Sequence, residues 1–174
     1  MVLSLFKKSV ASGAVYDVYA ALVAQSRQPR FYAEWGVPDT VTGRFDMVSL
    51  HMALLFRRLR SEKAAKAFSQ QLFDLFFLDM DRSLREMGAG DLAVPKKIRN
   101  MGNLFYGLLA KLDEALSSGE PAAVEAVLRR NVYVSAPDGA PRPLADYLIG
   151  ESKRLAAVPV ERILAGGLDR GVAA

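Results

Sequence analysis

The sequence predicts an all-α protein, a single helical-bundle domain of about six to seven helices. Three observations predict it. Apolar residues recur on a 3.6-residue period along most of the 174 residues. Gly, Pro and capping residues punctuate those periodic stretches. No window keeps the strict alternation of a half-buried strand, and Val132-Tyr133-Val134 is too short to count. A chain that is 51% apolar and 24% charged has an ordinary globular balance, and its length suits one domain.

In chain order, residues 1–13 read as a flexible basic leader, with Lys7 and Lys8 after a short apolar patch. A secretory signal places its charge before a longer apolar segment, so that reading is rejected. The first helix is expected from Ala14 to Gln28, ended by Pro29 because the residue before a proline avoids helical angles. Residues Arg30 to Phe45 are expected to form a loop, broken by Gly36, Pro38 and Gly43. The aromatics Phe31, Tyr32 and Trp35 argue that this loop packs down onto the helices. Helix two is expected from Arg44 to Arg60; it is apolar around most of its circumference, which places it centrally.

A third helix begins near Lys63 and carries the stripe Phe68, Leu72, Phe76, Met80, Leu84 and Met87. The Gly88-Ala89-Gly90 step supplies a helix end and tight turn. Helix four starts within Asp91 to Pro95, Asp as cap and Pro in the first turn, and lines up Ile98, Met101, Phe105, Leu108, Leu112 and Leu116. The two form a hairpin whose apolar faces close on each other. Ser117-Ser118-Gly119 ends it, and Pro121 opens a fifth helix to about Tyr133. Ser135 to Pro143 read as an exposed linker. A sixth helix follows from Leu144 to Ala157, with a short helical tail after Pro159. The chain thus divides into the leader, a core at 14–118 and C-terminal helices at 119–174.

The composition excludes several chemistries. With no Cys there is no disulfide, no Cys-based zinc site and no thiol nucleophile. His51 is the sole histidine, and the spacings HExxH, GxGxxG, Walker loop and GxSxG are absent. No catalytic residue, cofactor site or metal site is therefore assigned. Asp74 and Asp81 fall on the polar face of helix three, where Asp81 can pair with Arg85 one turn on. Asp79 lies inside the apolar arc, a costly place for an unpaired carboxylate. We expect it to form a structural ion pair with Arg57 of helix two. His51, at the border of that helix's apolar face, reads as a hydrogen-bonded boundary residue.

The formal charge is +4. It favours a negatively charged partner such as anionic lipid, ribosomal RNA or an acidic protein. It is too small for a dedicated DNA binder, and no nucleic-acid motif accompanies it. Basic residues cluster at Arg57, Arg58, Arg60, Lys63 and Lys66, and again at Lys96, Lys97 and Arg99. Should the fold join both groups, they would make one patch for a phosphate-rich or acidic surface. No apolar run reaches the ~18–20 residues that span a bilayer.

One set of segments is similar to a known family. Arg27-Gln28-Pro29, Tyr32, Gly36-Val37-Pro38-Asp39-Thr40, Gly43-Arg44-Phe45 and Leu50-His51 occur in order. They are followed by Asp79-Met80-Asp81, Leu84-Arg85-Glu86-Met87-Gly88, Gly90-Asp91-Leu92 and Val94-Pro95-Lys96. Over residues 15 to 116 the chain resembles the ubiquinol–cytochrome c chaperone family, of the stand-alone bacterial type; the C-terminal third lies outside the resemblance. The resemblance implies an assembly factor for respiratory complex III, not an enzyme, that binds newly made cytochrome b. It implies a cytoplasmic protein, peripheral on the inner face of the inner membrane, with an anionic membrane surface and the ribosome as further partners. Trp35, Val37, Asp39, Arg44, Phe45, Arg57, Arg58, Phe77, Leu78, Lys96 and Lys97 are then the expected contacts to client or partner. Two rival readings stay open: a basic ribosome- or RNA-binding adaptor, and an enzyme acting on a lipid-like substrate through Asp79 and His51.

Overall fold

The computed structural model describes residues 12–168, so the leader lies almost wholly outside the described residues. Six helices of eleven residues or more make the body: α1 (Gly13–Ser26), α3 (Val41–Leu59), α4 (Lys66–Glu86), α5 (Val94–Ser118), α6 (Pro121–Asn131) and α7 (Pro141–Ala157). Two five-residue helices, α2 (Pro29–Ala33) and α8 (Val160–Leu164), and a 3-10 turn at Lys63–Ala65 complete it. No strand occurs among the described residues, and no helix there is long and apolar enough to cross a membrane.

Helix α3 is the hub. It packs against α1, α4, α5 and α7. Twelve of its 19 residues are buried, which the all-round apolar pattern demands. The α4–α5 hairpin closes as its two stripes require, with Phe76 and Phe105 both buried and their rings 5.7 Å apart. The stripe of α4 fades toward the turn, however. Phe68, Leu72 and Phe76 are buried, whereas Met87 is exposed, because the hairpin's far end runs past the helices that cover its base.

Four details differ from the sequence expectation, three of them for a local reason, although the start of α5 falls within the expected Asp91 to Pro95. Pro29 does end the run from α1, but it also opens α2, since its fixed φ and missing N–H suit a first helical position. Helix α3 starts at Val41, three residues early, because the Thr40 hydroxyl accepts the Gly43 N–H at 3.1 Å and caps it. Asp91 does not cap α5; its carboxylate is turned to Arg85, and α5 begins at Val94 with Pro95 in its first turn.

The fourth difference is the segment 135–143, which is not a free linker. Tyr133 Oη donates to the Trp35 carbonyl at 3.0 Å, and the Ala140 N–H donates to the same oxygen at 3.2 Å. Gly139 lies so close under the Tyr133 ring that a Cβ there would overlap it. A turn 98 residues away in sequence thereby fixes the Trp35-Gly36-Val37 corner.

Candidate functional site

The last two turns of α3, the 3-10 turn, the first half of α4 and the second half of α5 enclose an open groove of about 620 Å³. Its floor is aromatic and aliphatic. Phe73 lies 6.0 Å from Phe105 and 5.6 Å from Tyr106, and Phe56 meets Phe105 edge-on at 6.0 Å. Leu109 and Leu116 extend the floor along α5. Tyr106 is 58% exposed, so the floor reaches the surface rather than being a sealed void.

The rim is basic because of where α3 ends. Arg57, Arg60, Lys63 and Lys66 all border the groove. Asp113 of α5 takes ion pairs from both Arg57 and Arg60, and Arg57 also donates to the Ser117 hydroxyl at 3.0 Å. Burial first, then the charge of Arg60, pull the Arg57 guanidinium below its ordinary pKa. Glu62 is taken by Arg58 at 2.8 Å, and Arg58 also donates to the Val158 carbonyl, tying the end of α3 to the end of α7. Lys63 and Lys66 make no ion pair among the described residues, which leaves them open to an incoming group. An apolar trough edged by uncommitted cations can hold an apolar helix or chain and attract negative charge beside it.

The predicted contacts lie in several different surroundings. Arg57 lines the groove and Arg58 stands beside it. Val37 and Phe45 are core residues, 2% and 6% exposed, with the Phe45 ring stacked on Phe76, so they offer nothing to a partner. Trp35 packs on Phe31 and Tyr147, and the Arg30 guanidinium lies over all three rings. Asp39 and Arg44 form an exposed pair at 2.7 Å across the first turn of α3. The hydrogen bond from Arg44 holds the Asp39 carboxyl below the usual carboxylate range. Phe77 is half-buried among Phe73, Phe76 and Phe105, whereas Leu78 is exposed, about 140° around α4 from Phe73.

The two basic clusters do not meet. Lys97 lies 16 residues before Asp113 on the same helix, about 24 Å along its axis. Lys96 and Lys97 thus belong to the hairpin turn, not to the groove.

The expected Asp79–Arg57 ion pair is absent. Arg57 is held by Asp113, and Asp79 Oδ2 accepts the Tyr19 hydroxyl at 2.7 Å instead. Asp79 faces α1, where the Tyr19 phenol is its donor and no ion pair forms among the described residues. His51 is 1% exposed and hydrogen-bonded on both sides of its ring. Its Nδ1–H donates to the Met47 carbonyl at 2.7 Å, and its Nε2 is hydrogen-bonded to the Tyr147 hydroxyl at 2.8 Å. Gln25 Nε2 donates to Tyr147 at 2.8 Å, extending the chain to α1. These hydrogen bonds tie α1, α3 and α7 together. Among the described residues no cluster of three or more His, Asp or Glu could hold a metal ion.

Sequence reading missed Asp113, Tyr19 and Tyr147, the partners of Arg57, Asp79 and His51. They lie 56, 60 and 96 residues from those partners, and no local spacing announces them.

A family model described as Ubiquinol-cytochrome C chaperone matches residues 33–171. The match runs through α6, α7 and α8, so the likeness is not confined to the first two thirds of the chain. Among curated proteins the chain is similar to ubiquinol-cytochrome-c reductase complex assembly factor 1 of Xenopus laevis, at 23% identity over 117 residues. That stretch is 67% of this chain and 58% of the relative, so the chain spans little more than half the relative's length. Among solved structures it is similar to the Cbp3 homolog from Brucella abortus, at 38% identity and a TM-score of 0.79 over 88% of this chain and 86% of that one.

Proposed function

Because the chain belongs to the ubiquinol–cytochrome c chaperone family, we propose that it is an assembly factor for respiratory complex III that holds newly made cytochrome b. It acts by binding, without turnover. The observation that carries this reading is the groove between α3, α4 and α5, with its aromatic floor of Phe56, Phe73, Phe105 and Tyr106. A membrane protein waiting for haem and for partner subunits exposes apolar helix faces. A trough of about 620 Å³ lined by rings covers part of such a face, while its cations keep the chaperone itself in water. Arg57 and Arg58 border the site, and Trp35, Phe77 and Leu78 remain secondary contacts. The work is done at the inner face of the inner membrane, where the client is inserted.

Deleting the gene and recording haem spectra and cytochrome b levels in membranes tests the reading. Loss of cytochrome b with the other respiratory complexes intact is the expected result. Normal cytochrome b would overturn it. In a pull-down with detergent-solubilised client, capture that collapses steeply with salt would favour a phosphate-binding adaptor, since phosphate contacts release counterions.

A further inference from the structure

The turn between α4 and α5, residues 87–93, is built unlike the rest of the surface. Leu92 is 97% exposed and Met87 is 52% exposed, so two large apolar side chains stand in water at the far end of the hairpin. The turn is open to solvent: a Cβ added at Gly88 or Gly90 would meet nothing within 4 Å. From Asp81 to Arg99 the sequence carries five cations, Arg82, Arg85, Lys96, Lys97 and Arg99, against three carboxylates, Asp81, Glu86 and Asp91. That excess of two is half of the chain's net charge of +4. Arg85 is spent on Asp81 and Asp91, which leaves Arg82, Lys96, Lys97 and Arg99 without an ion pair among the described residues. All four side chains are exposed.

We infer that this hairpin turn docks the protein on an anionic lipid bilayer, with Leu92 and Met87 entering the headgroup layer and Lys96, Lys97, Arg82 and Arg99 meeting lipid phosphates. The charge is complementary to an anionic leaflet, and clustered basic residues beside a membrane are attracted additively. The shape argues against a protein partner. A stable protein interface needs roughly 800 Å² from each side, and a short turn with two exposed apolar side chains does not supply it. A bilayer asks for less: a few apolar side chains that enter beneath a ring of cations. A newly made membrane segment also carries its own Lys and Arg on the cytoplasmic side, and those would be repelled by this turn. The groove's α5 lining runs from Phe105 to Leu116, which begins about 12 Å beyond Lys97 along the helix, so a docked turn does not cover it. The inference shares with the proposed function only the location at a membrane and stands without cytochrome b as client.

The test is flotation of the full chain with phosphatidylcholine vesicles, with and without 30 mol% phosphatidylglycerol. Binding to the phosphatidylglycerol vesicles alone is expected, lost at least tenfold by Leu92→Glu and by the Lys96→Glu, Lys97→Glu double variant. Val134→Glu, another exposed apolar position far from the turn, is expected to bind unchanged. Failure of the full chain to bind, equal binding to both vesicles, or binding unaffected by Leu92→Glu would overturn the inference. Capture of detergent-solubilised cytochrome b by Leu92→Glu separates the two proposals. Intact capture with lost vesicle binding supports the bilayer; lost capture with intact vesicle binding assigns the turn to a protein contact.

Discussion

Tyr19 donates its hydroxyl to Asp79 Oδ2 at 2.7 Å, joining α1 to α4 across 60 residues of sequence. Burial first, and then this hydrogen bond, push the Tyr19 phenol above its ordinary pKa, so it stays a donor wherever the protein is folded. Tyr19→Phe keeps the ring packed 6.4 Å from Phe76 but leaves the carboxylate unsatisfied. The expected loss is about 1–2 kcal/mol in urea unfolding. Asp79→Asn is expected to cost less, because the amide oxygen still accepts. A Tyr19→Phe loss within about 0.5 kcal/mol would mean that water already serves Asp79.

Asp113 is the acceptor that two arginines share at the rim of the groove. Removing it as Asp113→Ala leaves Arg57, partly buried, beside Arg60 with no anion between them. We expect a stability loss of about 1–3 kcal/mol, read by thermal or urea melts. Asp113→Asn is expected to fall between the two, since it keeps an acceptor but no charge. Added salt is expected to recover part of the Asp113→Ala loss by screening the arginines from each other.

The fold was largely legible because helices are written locally. The stripes of α4 and α5, the all-round apolar α3 and the Gly-Pro punctuation each lie within one stretch of chain. What was not legible is what depends on distant pairing. Asp79 could be seen to need a partner, but a phenol on α1 satisfies a carboxylate as well as a guanidinium does, and only packing decides between them. The loop's aromatics announced that it packs down, yet not that Val37 and Phe45 themselves are core: Tyr133 and Ala140 hold the Trp35 carbonyl from 98 and more residues away, and Phe45 stacks on Phe76 of another helix. The groove has the same origin. Its floor residues lie on three helices, and its rim was visible only as a run of basic residues whose neighbours were unknown.

Tyr106 offers a direct test of the groove apart from the fold. At 58% exposed it contributes little to the core, so Tyr106→Glu is expected to change stability within about 0.5 kcal/mol. The same change puts a carboxylate on the apolar floor beside Phe73. Capture of detergent-solubilised cytochrome b is expected to fall at least tenfold, and Tyr106→Phe to restore it. Unchanged capture by a folded Tyr106→Glu variant would move the client site elsewhere.

Gly43 sits in the first turn of α3, where the chain from Pro38 passes back against it. An added Cβ would overlap the Pro38 carbonyl oxygen, which is backbone and cannot swing aside. Gly43 is thus required by close approach rather than by an unusual φ. Gly43→Ala is expected to destabilise by about 2 kcal/mol or more, despite alanine's better helix propensity. The same variant is expected to weaken the Thr40 cap, visible as faster amide exchange at Gly43 and Arg44.

Asp46 sets a pH dependence whose sign is unusual for a carboxylate. It is partly buried on α3, and burial alone pushes its pKa up to about 7. The folded state therefore holds a proton that the unfolded chain releases near pH 4. Between those values the native state binds more protons, so stability falls as pH rises from about 4 to about 7 and stays reduced above that. The paired acids act the other way: Asp39 and Asp81 are held below the usual range by Arg44 and Arg85, and their contribution is lost only as the pH drops through that low range. Asp46→Asn removes the ionisation while keeping the shape. It is expected to match the parent near pH 4.5 and to exceed it at pH 8 by on the order of 2–4 kcal/mol in urea midpoint-derived stability. Parallel pH profiles for parent and Asp46→Asn would show that Asp46 ionises normally and that water reaches its carboxylate.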